Sequence, residues 1–203
     1  VFPGYDSSDV QGLFARGYNR MTKKMQCLVT GGAGFIGSHL CEDLLNRGWR
    51  VTAIDDLSTG LRSNISHLTH DKNFRFYRGS ILNEKLMRPL VRKCDIIYHL
   101  AAAVGVKYIL DNPVGSLTTN IEGTHLILRL AVAYRKKIVL ASTSEVYGKH
   151  RCLPIGEKDD RVLGSTSVGR WSYSEAKAID EFLALAYANE RKLRVVIVRF
   201  FNT

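Results

Sequence analysis

Short, almost wholly apolar runs alternate along the chain with longer stretches in which apolar residues recur every three or four positions. MQCLVT (25–30), RVTAID (50–55), FRFYRG (74–79), CDIIYHLA (94–101), KIVLAS (137–142) and LRVVIVRFF (193–201) read as strands. Between them, FIGSHLCEDLLNRG (35–48), LNEKLMRPLVRK (82–93), VGSLTTNIEGTHLILRLAVAYR (114–135) and WSYSEAKAIDEFLALAYANERK (171–192) read as helices. Gly48 is placed to end the first helix and Pro113 to open the third. Pro89 fits poorly inside the second, because it removes an amide donor. Strands that are apolar on both faces and alternate with helices predict an α/β fold, a doubly wound parallel sheet of six strands covered by helices on both sides. The segment 148–170 carries neither pattern, and a loop of that length is usually functional or disordered.

Composition narrows the class. At 203 residues with 45% hydrophobic and 24% charged content, the chain has material for one core and rules out a disordered or collagen-like protein. Residues 25–203 are read as one domain, and 1–24 as a leader or unstructured extension without the apolar run of a signal peptide. No run of 18 apolar residues suggests a membrane span, and a cytoplasmic location is expected. The cysteines, Cys27, Cys41, Cys94 and Cys152, never stand two or three apart, so neither a metal site nor a disulfide framework is expected. Lys and Arg number 29 against 19 Asp and Glu, a net charge of +10. The basic residues are scattered and lack interleaved aromatics, which argues against nucleic acid as a partner and leaves an anionic small substrate open.

Three clusters carry chemistry. In Thr30-Gly31-Gly32-Ala33-Gly34-Phe35-Ile36-Gly37, which joins the first strand to the first helix, Gly31 suits a tight turn. Gly34 suits close approach of a pyrophosphate, and Gly37 suits packing of the helix on the sheet. Asp55, at the end of the second strand, is placed to hold a ribose diol and to repel a 2′-phosphate, which favours NAD over NADP. Tyr173 and Lys177, four apart on one helix, share a face, so the ammonium can stabilise a phenolate and make the tyrosine a base. Ser142-Thr143-Ser144-Glu145 leaves the fifth strand at its carboxyl end, where open α/β sheets bind ligands. There a hydroxyl can hold a substrate oxygen, and Glu145 can act as a base or bind a sugar hydroxyl.

The ordered set TGGAGFIGSHL, IDDLSTG, HLAA, DNP…TNIEGT, STSEVYG, RWSYSEAK and VRFFNT resembles the extended short-chain dehydrogenase/reductase family, the NAD-dependent epimerases and dehydratases of nucleotide sugars built on the Rossmann fold. The resemblance implies cofactor contacts from Gly31, Gly34, Phe35, Ile36, Gly37, Asp55, Leu100, Ala101 and Ala102, and from Ser80 and Ile81 near the adenine. The family usually has Gly-Asp there, whereas this chain has Gly79-Ser80-Ile81, implying an altered adenine contact. Thr143, Tyr173 and Lys177 become the catalytic trio, with Glu145 assisting. Ser144 and Glu145 face the substrate, and Asn202 touches its diphosphate. The shared reaction oxidises a nucleotide sugar at C4, and a UDP-glucose 4-epimerase-like outcome is placed ahead of a UDP-glucuronate decarboxylase or a dehydratase.

Dehydratases of this pattern typically place Asp-Glu where this chain has Ser144-Glu145, which counts against dehydration. The family also implies a homodimer through a four-helix bundle built from the 114–135 helix and the Tyr173 helix. Family members continue past FFN into a further strand and a C-terminal substrate domain. The cofactor half is therefore expected to be nearly complete in these 203 residues and the substrate half only partly present, with weak NAD binding and little turnover. A non-catalytic NAD-binding module is the reading of another class.

Overall fold

A computed structural model describes residues 24–150 and 153–201. The strands are β1 (Gln26–Thr30), β2 (Arg50–Asp55), β3 (Phe74–Arg78), β4 (Ile96–His99), β5 (Lys137–Thr143) and β6 (Arg194–Phe200). The helices are α1 (Phe35–Asn46), α2 (Glu84–Lys93), α3 (Val106–Asp111), α4 (Pro113–Ala133) and α5 (Trp171–Arg191), with 3₁₀ turns at Arg62–His70 and Ser144–Tyr147. The strands form one parallel sheet in the order β3-β2-β1-β4-β5-β6. Chain progression reverses between β1 and β4, and in such sheets the crevice at that reversal receives ligands.

Alternate strand residues feed two cores, as expected for a sheet covered on both faces. Leu28, Ile54, Ile97, Ile138 and Leu140 pack with Met87, Val91, Ile127 and Ala184 from α2, α4 and α5. Their neighbours Cys27, Val29, Val51, Ala53 and Ile96 face the other way, onto Cys41, Leu44 and Leu45 of α1 and Ile65 and Leu68 of the first 3₁₀ turn. Burial raises the thiol pKa values of Cys41 and Cys94 to about 12 and pushes Cys27 higher still. Among the described residues these cysteines are inert packing groups. Cys152 lies outside the described residues, as do residues 1–23.

Two local features differ from the sequence expectation. Helix α2 runs through Pro89 unbroken, because Pro89 and Lys85 lie on the solvent side, where water can take the carbonyl that loses its amide partner. Asn83 caps this helix by accepting from the Leu86 amide at 3.2 Å. The 3₁₀ turn at Arg62–His70 has no helical stripe to reveal it and buries only Ile65 and Leu68, three apart. Pro113 opens α4 at its first turn as expected. No helix among the described residues is long and apolar enough to cross a membrane.

Candidate active site

At the carboxyl ends of β1, β2, β4, β5 and β6 lies a cavity of about 610 Å³. Its wall includes Gly31, Gly34, Phe35, Ile36, Gly37, Asp55, Ile81, Leu100, Ala101, Ala102, Thr143, Tyr173 and Lys177. The structure thus brings together residues that the sequence spreads over some 150 positions.

The loop after β1 is shaped by contact. Gly31 has φ +71°, and a Cβ there would stand 2.8 Å from the Ala101 amide nitrogen. Gly37 does something other than the packing on the sheet expected of it. A Cβ on it would come within 2.1 Å of the Gly31 carbonyl oxygen, so it lets α1 close onto the loop itself. No side chain caps α1, which leaves the amides of its first turn free for an anion. Asp55 braces the loop from below, its carboxylate accepting from the amides of Ala33 and Leu57, each at 2.9 Å. A carboxylate has capacity for further donors, so this bracing is compatible with holding a diol.

Across the cavity, Thr143 ends β5, and its hydroxyl accepts from the Glu145 amide at 3.2 Å. Ser174 of α5 donates to the Glu145 carbonyl at 2.6 Å and ties the 3₁₀ turn to the helix carrying Tyr173 and Lys177. A second hollow of about 230 Å³ adjoins this corner, with Thr143, Tyr173, Glu145 and Arg170 in its wall. Glu145 therefore lines this side hollow together with Arg170, the first residue of the RWSYSEAK motif.

The remaining candidates are placed differently. Ser80 is absent from the cavity wall, and its hydroxyl accepts from the Leu82 amide at 3.2 Å, a local turn contact. Ser144 lines neither hollow. Asn202 lies outside the described residues.

The expectation that Lys177 acidifies Tyr173 is not met in this structure. The Lys177 Nζ lies 3.2 Å from Asp180 Oδ2, with both side chains almost fully buried. The Tyr173 phenol is pushed up to about 12, first by burial and then by the negative charges of Glu145 and Asp180. Burial also raises the Asp180 carboxyl to about 6, with the Lys177 charge opposing.

Behind the cavity runs a polar chain that the sequence reading missed. The Ala101 amide donates to Thr30 Oγ1 at 3.2 Å, Thr30 Oγ1 lies 2.7 Å from His99 Nδ1, and His99 Nε2 lies 3.1 Å from Thr124 Oγ1. Since burial drives the His99 pKa down to about 3, the ring is neutral. The pattern is satisfied with Thr30 donating to Nδ1 and Nε2–H donating to Thr124. Asn120 adds a two-point clamp on Ala103, at 2.7 and 3.2 Å. The available signal was polar residues, Asn120 and Thr124, four apart on the inward face of α4.

On the far side of α5, Glu181 receives Arg199 through two hydrogen bonds of 2.9 and 2.7 Å, and Ser142 donates to the same carboxylate. Arg199 also donates to the Glu157 carbonyl at 3.0 Å, and Gly148 bridges to Val162. The described residues of this segment, 148–150 and 153–170, are thereby anchored over the ends of β5 and β6.

This sheet order, with a glycine loop at the reversal point and a Tyr/Lys helix beside it, defines a Rossmann-type protein of the extended short-chain dehydrogenase/reductase class. Residues 28–203 match the GDP-mannose 4,6 dehydratase family, and the chain belongs to that family. It is 46% identical over 179 residues to a UDP-N-acetyl-alpha-D-glucosaminuronate decarboxylase of Bacillus cytotoxicus, covering 88% of this chain and 54% of that protein. To a UDP-glucuronic acid decarboxylase 1 of Danio rerio it is 36% identical, over 89% of this chain and 42% of that one. Among solved structures, a UDP-glucose 4-epimerase from Brucella ovis in complex with NAD superposes with a TM-score of 0.76 at 30% identity, covering 88% of this chain and 52% of the other. The chain spans about half the length of the curated relatives it matches.

Proposed function

We propose that the chain is the cofactor-binding and proton-transfer part of an NAD-dependent nucleotide-sugar enzyme whose substrate is a UDP-linked uronic acid that loses its carboxyl group. The observation that carries this is one 610 Å³ cavity joining the uncapped start of α1 and Asp55 to Thr143, Tyr173 and Lys177. The site fits a dinucleotide. Gly31 and Gly37 leave no room for a side chain, the first-turn amides of α1 suit a pyrophosphate, and Asp55 suits a ribose diol while repelling a 2′-phosphate.

When bound, NAD supplies a hydride acceptor and later a hydride donor. The residues of the chain do the rest. Tyr173 takes the proton of the sugar C4 hydroxyl, and Thr143 holds the same oxygen. A uronic acid oxidised at C4 is a β-keto acid, so its C5–carboxyl bond breaks with the carboxyl group leaving as CO2 and the electron pair moving into the C4 carbonyl. Thr143 and Tyr173 stabilise the developing oxyanion, and the enolate so formed takes a proton from water at C5. Arg170 offers a positive charge to the carboxyl group from the side hollow.

On the sequence motifs alone, epimerisation comes first. Decarboxylation stands ahead of it, supported by the 46% identical relative and by Arg170 in the wall of the side hollow. The Brucella ovis epimerase supports the other order. The exposed stripe Ile179, Phe182 and Leu185 on α5 supports a homodimer.

A thermal-shift titration tests the reading. NAD at about a hundred times its dissociation constant adds about 2.7 kcal/mol, which for a domain of this size raises the melting temperature by about 5–10 °C. NADP gives no comparable shift. Adding UDP-glucuronate or UDP-N-acetylglucosaminuronate to the NAD complex should produce an absorbance band of reduced nicotinamide. No shift with NAD rejects the proposal. A reduced band with UDP-glucose but with neither uronate favours the epimerase.

A further inference from the structure

Tyr173, Lys177 and Asp180 stand at positions i, i+4 and i+7 of α5 and therefore form one stripe along the helix. Lys177 and Asp180 are buried beneath the tyrosine, with Nζ 3.2 Å from Oδ2. The second carboxylate oxygen, Oδ1, has no hydrogen-bond partner among the described residues. An aspartate this deep is normally fully satisfied, so its half-satisfied state calls for an explanation.

The groups around the pair come from several elements. Thr124 of α4 faces Asp180 and helps hold it ionised, short of a hydrogen bond to Oδ1. His99 of β4 is held neutral first by burial and then by the Lys177 charge. Glu181 is the next residue on α5, but Arg199 of β6 and Ser142 of β5 occupy it. Glu145 of the second 3₁₀ turn acts on Tyr173 from the other side. Asp180 is thus the carboxylate that neutralises Lys177.

We propose that Asp180 is a positioning residue that sets how strongly Lys177 can acidify Tyr173, holding the ammonium on itself in the cofactor-free protein and so keeping the phenol protonated. The inference rests on the assignment of Tyr173 as the proton acceptor and Lys177 as its activating cation. An ammonium beside a phenol favours the phenolate, whereas an ammonium paired at 3.2 Å with a carboxylate has its effect on a nearby phenol largely offset by the carboxylate's charge. The upward push of Asp180 on the tyrosine agrees with this arrangement. Asp180 thereby makes proton acceptance by Tyr173 conditional on the ammonium being drawn elsewhere, as by a hydroxyl-bearing ligand in the adjoining cavity.

The test is an NMR titration of cofactor-free protein carrying ¹³Cζ-tyrosine, with the Tyr173 resonance assigned by Tyr173→Phe. In the unsubstituted protein Tyr173 should not titrate below a pH of about 11. In Asp180→Asn it should titrate at least about one unit lower. Asp180→Ser, smaller and also uncharged, should do the same, so the result does not hang on one variant folding. Thr124→Val keeps both charges and should leave the Tyr173 titration where it was. A purely structural ion pair predicts lost stability with no downward movement of Tyr173. An unchanged or raised Tyr173 pKa in a folded Asp180 variant overturns the proposal. So does failure of both variants to fold, since the pair would then be a folding element. NAD-induced thermal shift of the unsubstituted protein is read separately, so loss of the cofactor reading and loss of this inference are distinguishable.

Discussion

Gly31 and Ala101 meet backbone to backbone across the mouth of the cavity, so closely that a β-carbon on the glycine would stand 2.8 Å from the alanine nitrogen. The contact joins the turn after β1 to the segment after β4, the two strands between which chain progression reverses. Gly31→Ala combines this clash with a left-handed backbone at φ +71°. It should destabilise the fold by about 1–3 kcal/mol and abolish the thermal shift with NAD. A Gly31→Ala protein with an unchanged NAD-induced shift would show that the loop is not the cofactor cradle.

Arg199 and Glu181 form a two-point ion pair between β6 and α5, with side-chain exposures of 22% and 11%. Removing one partner of such a pair leaves the other charge buried and costs about 3–5 kcal/mol. Arg199→Ala is therefore expected to lower the urea midpoint strongly, and because Arg199 also holds the Glu157 carbonyl, to raise protease cleavage within 153–170. Equal cleavage in both proteins would mean that other contacts hold this segment.

Two buried groups give opposite pH dependences. The His99 pKa is lowered to about 3 from its ordinary value near 6.5, so its contribution is present above the unfolded value and is lost as pH falls towards 3. The Asp180 pKa is raised from 3.8 to about 6, so its contribution is present at low pH and is lost as pH rises through 6. Between about pH 4 and 6 the two partly cancel. His99→Gln removes the first, so its melting temperature relative to the unsubstituted protein should climb as pH drops through that window. Parallel pH profiles for the two proteins would contradict the assignment of a neutral, buried His99.

Phe182 is 65% exposed between Ile179 and Leu185, while the opposite side of α5 packs on α4 and the sheet. A large aromatic there suits an interface between two copies. Phe182→Asp is expected to convert a dimer to a monomer in light scattering while leaving NAD binding intact. A monomer before substitution would remove the four-helix-bundle reading.

The amino-acid sequence by itself determined the strand–helix alternation, the glycine loop with Asp55, and the Tyr173/Lys177 helix. Each of these is local, resting on short apolar runs or helical spacing, on a turn that admits only small residues, or on two side chains one helical turn apart. Thr143 was legible because strand ends in such a sheet face the ligand, whereas the HLAA segment was marked only by its family resemblance. Only the tertiary structure decided what those groups do to one another.

The link from Thr30 to His99 spans 69 residues and the step from His99 to Thr124 another 25, and neither leaves a periodic trace. Ser80 was expected at the cofactor, but the fold turns its hydroxyl back to the Leu82 amide. Asp180 is three residues from Lys177 and visible in any helical projection. Its burial, its contact with the ammonium and the upward push on Tyr173 arise only when α5 closes against α4 and the sheet. Desolvation depends on what covers a charge, and that is fixed by packing rather than by neighbours along the chain.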